Sequence, residues 1–408
     1  MDRLELARRL GAETAGVSEP RSGVTVVEER EPERFMQALA AAAGSGGEVF
    51  LADPEWTEAQ RAELQEIIRQ PGTGGSAAGR GWLMIPSGGT TGKLKFARHD
   101  EETIGAAVRG FCAHFGVASV HAVGVLPLHH VGGLMAWMRC VLTGGHYLPW
   151  NWKELDAGST APRSEVGNWT ISLVPTQLHR LLSSRGTVDW LRGFRMIFIG
   201  GGPAWPDLLE AAARAELPLS LSYGMTETAA MVTALRPPEF LAGARSAGEP
   251  LPHARLSVGE DGAIRVASES LFRGYYPAWS DAREFTTRDL GRIDQRGHVH
   301  IWGRADAMII TGGRKVQPAE VEAALRASGE FGDVVVIGVP DPEWGEAVVA
   351  CYPRGGPVPD VARATSALAN HQRPKRFVAL QEWPRNVQGK VDRAALLAAV
   401  QARGTPKQ

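Results

Sequence analysis

Between about residues 119 and 230, short apolar runs of buried-strand character alternate with stretches of helical periodicity, the order of a parallel sheet covered by helices. Residues 119–126 lead into a Pro-His-Gly turn and the apolar segment 134–142. Residues 169–174 lead through Pro175 into 177–182, and residues 196–199 lead into Gly200-Gly201-Gly202-Pro203. Each polar or glycine-rich turn follows a strand, where open α/β sheets place their ligand sites. After about residue 250 the pattern changes to glycine-separated alternating segments such as 263–267 and 298–302, typical of antiparallel strands. A smaller α+β unit begins near Arg304. In it Pro318 opens a helix with Val321 and Leu325 four apart on one face, residues 333–339 read as a buried strand, and a last helix begins near Asp392 with Leu396, Leu397 and Val400. The expected fold class is α/β, with a large N-terminal domain over residues 1–304 and a smaller α+β domain over 305–408.

A chain of 408 residues that is 44% hydrophobic can fill two cores. Lys and Arg number 44 against 45 Asp and Glu, so no global field draws it to nucleic acid or to an anionic membrane. Small-molecule partners are expected, with neither nucleic acid nor membrane; a homo-oligomer stays open. Cys112, Cys140 and Cys351 are odd in number and lack CxxC or Cys/His spacing, so neither a disulfide framework nor structural zinc is expected. Residues 1–11 carry charges at Asp2, Arg3, Glu5, Arg8 and Arg9 without an apolar leader core, and no later segment approaches about 18 uninterrupted apolar residues. A cytoplasmic location is the expectation. There is no internal repeat, and residues 71–81 form the one glycine-rich, low-complexity stretch.

Pro86-Ser87-Gly88-Gly89-Thr90-Thr91-Gly92-Lys93-Leu94-Lys95 concentrates small residues, paired hydroxyls and two lysines. Bare N–H groups and threonine hydroxyls can wrap phosphate oxygens while lysines offset their charge. It is not a Walker A loop: Gly88 to Gly92 encloses three residues, and Leu94 stands where a magnesium-binding Ser or Thr is required. Alone, such a loop is more often a flexible turn.

Five further segments follow in order. They are Ser222-Tyr223-Gly224-Met225-Thr226-Glu227, Thr287-Arg288-Asp289-Leu290-Gly291, Gly303-Arg304-Ala305-Asp306, the run from Gly312 through Lys315 and Pro318 to Glu322, and Asn386-Val387-Gln388-Gly389-Lys390-Val391-Asp392-Arg393. With the phosphate loop they resemble the adenylate-forming superfamily of acyl-CoA ligases, adenylation domains and luciferases, over roughly residues 83 to 395. The resemblance implies a mobile C-terminal domain and ATP, Mg2+ and CoA as cofactors and co-substrates. In such enzymes a carboxylate attacks the α-phosphorus of ATP, giving an acyl-AMP and pyrophosphate, and a thiol then displaces AMP. Charge grows on the α-phosphoryl oxygens, where a fixed cation is worth several kcal/mol.

Carried onto matching positions, the resemblance makes Lys390 the catalytic lysine and Glu227 the magnesium ligand. Thr226 donates to the α-phosphate and Tyr223 lies against adenine. Ser87, Gly89, Thr90, Thr91, Gly92, Lys93 and Lys95 surround the phosphates. Gly201, Gly202, Pro203, Ser222, Gly224 and Met225 contact the nucleotide, Asp289 the ribose with Arg304 nearby, and Asp306 is the hinge. The chain departs from the pattern at Leu94, Phe96 and Arg288, and only about 86 residues precede the loop. None of these changes removes a group with a direct chemical role, but part of the N-terminal subdomain is expected to be missing or reduced.

Acid specificity resides in pocket walls. Residues 126–139, with His129, His130, Trp137 and Arg139, and residues 172–182 look like those of 2-succinylbenzoate-CoA ligases of menaquinone and phylloquinone biosynthesis. That substrate has a second carboxylate needing a cation or several donors. His130, Thr176, Gln177, Arg180 and Ser222 are the candidates, with His130 also able to gate the thiol path; Arg139 is as readily a core-edge arginine. The alternatives are a ligase for another aryl or medium-chain acid, a freestanding adenylation domain loading a carrier protein, and a silent binding protein. The last would be expected to have lost Glu227, Asp289 or Lys390.

Overall fold

The computed structural model describes residues 1–11, 23–70, 81–87, 93–162, 169–355, 358–384 and 391–402. The strands assemble into four sheets. The first joins Val24–Val27, Glu48–Leu51 and Leu83–Ser87 in parallel and adds Lys95–His99 antiparallel. Its register pairs Ser87 with Lys95, so the phosphate loop is the connection of a hairpin. The helix Glu101–Phe115 starts where the Asp100 carboxylate accepts from the Thr103 amide at 3.0 Å and stops at Gly116, whose φ of 61° is left-handed.

The second sheet has seven strands, ordered Glu249–Pro250, Ala230–Ala234, Leu219–Met225, Met196–Ile199, Trp169–Leu173, His121–Gly124, Tyr147–Pro149. The last five are mutually parallel. Helices cover their faces, which is why Met196–Ile199 is buried at every position and reads as a continuous apolar run. The sequence reading of 119–126 as strand contracts to His121–Gly124, because Pro127 and the two histidines leave the ladder before the helix Val131–Thr143.

The third sheet is an antiparallel meander of Ala254–Val258, Ala263–Ser268, Glu284–Ile293 and Val299–Arg304. In the fourth, Arg314–Val316, Ile309–Thr311, Gly345–Pro353 and Val335–Asp341 lie in that order, and Arg376–Leu380 pairs with Gly345–Pro353. The helix Pro318–Ala327 packs on it with Val321 and Leu325 fully buried, as their spacing predicts, and Arg393–Ala402 contributes Leu396 and Val400. The strand expected at 333–339 is shifted to Val335–Asp341 by its pairing with Gly345–Pro353. The large α/β body and the smaller C-terminal unit both follow the expected fold class.

Candidate active site

Two sheets meet at Glu227. The strand Leu219–Met225 runs into a 3-10 turn at Thr226–Thr228, and the chain escapes through left-handed backbone at Ala229 (φ 50°) and Ala230 (φ 76°). Two alanines in that region cost about 1–3 kcal/mol each, so the turn is held by its surroundings. His99 holds it from the first sheet: its Nε2 donates to the Thr226 carbonyl at 2.7 Å, and Nδ1 lies 3.0 Å from the Thr103 hydroxyl. Burial pushes His99 below the usual histidine range, so a neutral ring with Nε2 protonated fits both partners. Gly224 is required here, since a Cβ would lie 2.0 Å from the Ala230 carbonyl oxygen.

Glu227 is 7% exposed. Its Oε1 accepts from the Ser87 hydroxyl at 2.7 Å and from the Tyr275 hydroxyl at 2.5 Å. Burial, reinforced by the Glu227 charge, drives the Tyr275 phenol upward, so it remains a donor. Among the described residues both hydroxyls converge on one oxygen, leaving the Oε2 lone pairs for a hard cation; the donor set fits magnesium. Lys95 Nζ stands 5.6 Å from the Tyr275 ring centre. Lys93 lies at the same end of the hairpin connection as Lys95, while Gly89, Thr90, Thr91 and Gly92 lie outside the described residues.

Beside this cluster Tyr223 donates to Asp289 Oδ2 at 2.8 Å, and Arg304, paired with Asp289 across two strands of the meander, donates to Oδ1 at 3.2 Å. Burial raises the Asp289 carboxyl above its ordinary value, while Tyr223 and Arg304 oppose the rise. Each oxygen keeps a second lone pair, enough for two vicinal hydroxyls. Arg304 also holds Asp306 through Nε at 2.8 Å and Nη2 at 2.9 Å, and Arg288 reaches Asp306 at 3.2 Å. The Ser222 hydroxyl donates to the Ile199 carbonyl at 3.3 Å, and Gly201, with a left-handed φ of 75°, turns the chain toward Gly202 and Pro203. Met225 lies on the same strand as Ser222 and Tyr223.

The acid-binding candidates divide. His130 caps the helix Val131–Thr143 and is half-buried. Gln177 is spent locally, its Oε1 accepting from the Val174 amide at 3.0 Å, with Thr176 beside it on the helix Pro175–Leu181. Arg180 lies on that helix's outer face, because Leu178 and Leu181 face inward; its side chain is 52% exposed and pairs with Asp156 at 2.8 Å. Arg139 behaves differently. It is 4% exposed, its guanidinium lies 4.4 Å from the Phe111 ring centre, and its Nε has no hydrogen-bond partner among the described residues. No carboxylate pairs with it among the described residues, and burial lowers it to about 10. Its repulsion, after burial, helps depress His253 to about 4. Sequence reading ranked Arg139 below Arg180, although an arginine in an apolar helix segment without any acidic residue was the available signal. Lys390 lies outside the described residues.

The AMP-binding enzyme family matches residues 80–276, and the AMP-binding enzyme C-terminal domain matches residues 320–390. The chain belongs to the AMP-binding enzyme family. Within it, the chain is 30% identical over 284 residues to 2-succinylbenzoate--CoA ligase of Oceanobacillus iheyensis, covering 66% of this chain and 59% of that protein. It is 29% identical over 375 residues to the enzyme of that name from Listeria monocytogenes, covering 85% and 73%. The chain thus spans 59% of the length of the first of these relatives. The fold is similar to that of the Bacillus subtilis o-succinylbenzoate CoA synthetase in complex with the acyl-adenylate OSB-AMP, with TM-score 0.78, 22% identity, and 97% and 91% of the two chains covered. ATP-bound MatB from Rhodopseudomonas palustris matches with TM-score 0.78, 22% identity and coverage of 99% and 93%.

Proposed function

We propose that the protein is an AMP-forming acid–thiol ligase that activates 2-succinylbenzoate with ATP and transfers the acyl group to CoA in quinone biosynthesis. One carboxylate oxygen of the acid would attack the α-phosphorus, expelling pyrophosphate and forming an acyl-AMP. The CoA thiolate would then add to the acyl carbon and AMP would leave. Ser87, Gly89, Thr90, Thr91, Gly92, Lys93 and Lys95 would cradle the phosphates, with Thr226 and Lys390 stabilising charge on the α-phosphoryl group. Glu227 would hold magnesium, whose charge offsets the triphosphate. Tyr223, Ser222, Gly224, Met225, Gly201, Gly202 and Pro203 would bound the adenosine site, and Asp289 with Arg304 the ribose. We take the domains to divide between Arg304 and Ala305 with Asp306 at the hinge, and the protein to act in the cytoplasm on small molecules only.

The observation that carries the choice of acid is Arg139. A buried guanidinium without a carboxylate is costly, and a dicarboxylic substrate supplies the missing anion. We take His130 to lie at the wall of the acid pocket and Thr176 and Gln177 at its rim, whereas Arg180 is already engaged by Asp156. The test is AMP and thioester formation from ATP, CoA and 2-succinylbenzoate beside benzoate and octanoate. Preference for 2-succinylbenzoate supports the reading; preference for a monoacid moves the specificity; turnover only with a carrier-protein thiol replaces CoA as acceptor; and no turnover with any acid removes it.

A further inference from the structure

We propose that Asp53, His129 and His130 form a binding site for a divalent transition metal ion, with zinc(II) as the preferred occupant, separate from the magnesium position at Glu227. One ligand atom from each of the three residues lies within 4.8 Å of the others, and no other such trio of His, Cys, Asp or Glu occurs among the described residues. Asp53 follows the strand Glu48–Leu51 of the first sheet, and the two histidines follow His121–Gly124 of the second, so the site bridges two sheets.

Asp53 is held in place by its surroundings. Asp53 is 2% exposed, and its Oδ1 accepts from the Glu55 amide at 2.9 Å, which aims Oδ2 at His129. The His129 Nε2 lies 3.5 Å from Oδ2, is buried, and makes no hydrogen bond among the described residues. The His130 ring centre is 4.3 Å from that of His129. Tetrahedral zinc with bonds of about 2.0–2.2 Å sets its ligands about 3.3–3.5 Å apart. The Asp53–His129 separation already has this value, and turning the half-buried His130 ring closes the looser side. Asp53 Oδ2 thus faces the imidazole of His129, with that of His130 beside it. Two imidazoles and one carboxylate suit borderline ions such as zinc and not magnesium, which prefers oxygen and water. A cavity of ≈ 280 Å³ lined by Asp53, His129, Gly124, Tyr147 and Trp150 gives an ion a route in and an open fourth position.

The test uses the tag-free full chain, stripped with chelator and titrated by calorimetry with Zn2+ and separately with Mg2+, followed by Co2+ loading and visible spectroscopy. One equivalent of Zn2+, no Mg2+ binding without nucleotide, and ligand-field bands of four-coordinate cobalt are expected. Asp53→Asn and His129→Gln should each weaken Zn2+ at least about tenfold and alter the cobalt spectrum. The proposal is overturned by absence of stoichiometric Zn2+ binding to the wild-type chain, a reading that depends on no variant. It is equally overturned if both folded variants keep wild-type affinity, or if Glu227→Gln abolishes the binding while His129→Gln leaves it intact.

Discussion

The Ser87 hydroxyl, at the end of a strand in the first sheet, donates to Glu227 in the turn that follows a strand of the second, at 2.7 Å. The hairpin connection that would grip the phosphates and the carboxylate that would hold their counter-ion are thereby fixed to one another. Glu227→Gln keeps the shape and the contact but removes the charge. Pyrophosphate release should fall about 100-fold, with the magnesium requirement moved to higher concentration. Release at the wild-type rate and magnesium dependence would remove Glu227 from the site.

Tyr223→Phe deletes the 2.8 Å hydrogen bond to Asp289. A bond to a charged acceptor is worth about 1.5–3 kcal/mol, so KM for ATP should rise roughly tenfold or more while the acid's KM stays put. Because burial raises the Asp289 carboxyl and the Tyr223 bond lowers it, the variant's acid limb in kcat/KM for ATP should move to higher pH. A pH–rate profile superimposable on wild type would count against the ribose assignment.

Arg139→Gln should separate acids by charge. KM for 2-succinylbenzoate is expected to rise about 10- to 100-fold, the cost of losing one charge-assisted contact. Residual activity on benzoate should be unaffected, provided circular dichroism shows the fold retained. Equal losses on both acids would make Arg139 a structural residue stacked on Phe111.

Lys390→Ala addresses a residue known only from its motif. Acyl-AMP formation should drop about 100- to 1,000-fold, as expected for a lost stabiliser of transition-state charge. Thioester formation from supplied acyl-AMP, which builds charge elsewhere, should fall much less. Full adenylation by the variant would disprove the role.

His253 offers a stability test. Both its ring nitrogens are buried without hydrogen bonds among the described residues, and burial, then the Arg139 and Arg109 charges, lower it to about 4. Between the ordinary histidine value and that one, the unfolded chain binds a proton that the folded chain refuses, so stability falls as pH drops through this window. The full effect is on the order of 2–3 kcal/mol. His253→Leu should flatten the loss of Tm between pH 6.5 and pH 4; an unchanged slope would assign it to other groups, such as His99 or His114.

The strand and helix segments were legible because each is a local pattern: Met196–Ile199 is apolar throughout since both faces are covered, and Val321 and Leu325 recur at helical spacing. Residue types at the nucleotide site were legible through motif order. Their contacts were not, since Tyr223 meets Asp289 across 66 positions and Ser87 meets Glu227 across 140. Arg180 and Arg139 show the limit most sharply. Both look like plausible carboxylate receivers in a string of letters, yet Asp156 pairs with one, while the other has no carboxylate among the described residues and stacks on Phe111. The Asp53–His129 approach escaped for the same reason: zinc was sought in cysteine spacing, while the fold brings distant turns together.

Arg304 lends one guanidinium to two carboxylates, Asp289 within the meander and Asp306 in the turn that leaves it. Twisting the backbone at 305–307 must break the paired bonds to Asp306 and releases the cation's full field to Asp289. Drawing Arg304 toward a sugar-bound Asp289 loosens Asp306 in turn. If Asp289 holds the ribose as proposed, occupancy of that position and the dihedral angles of the connecting turn are linked variables, and a reporter of either one would read the other.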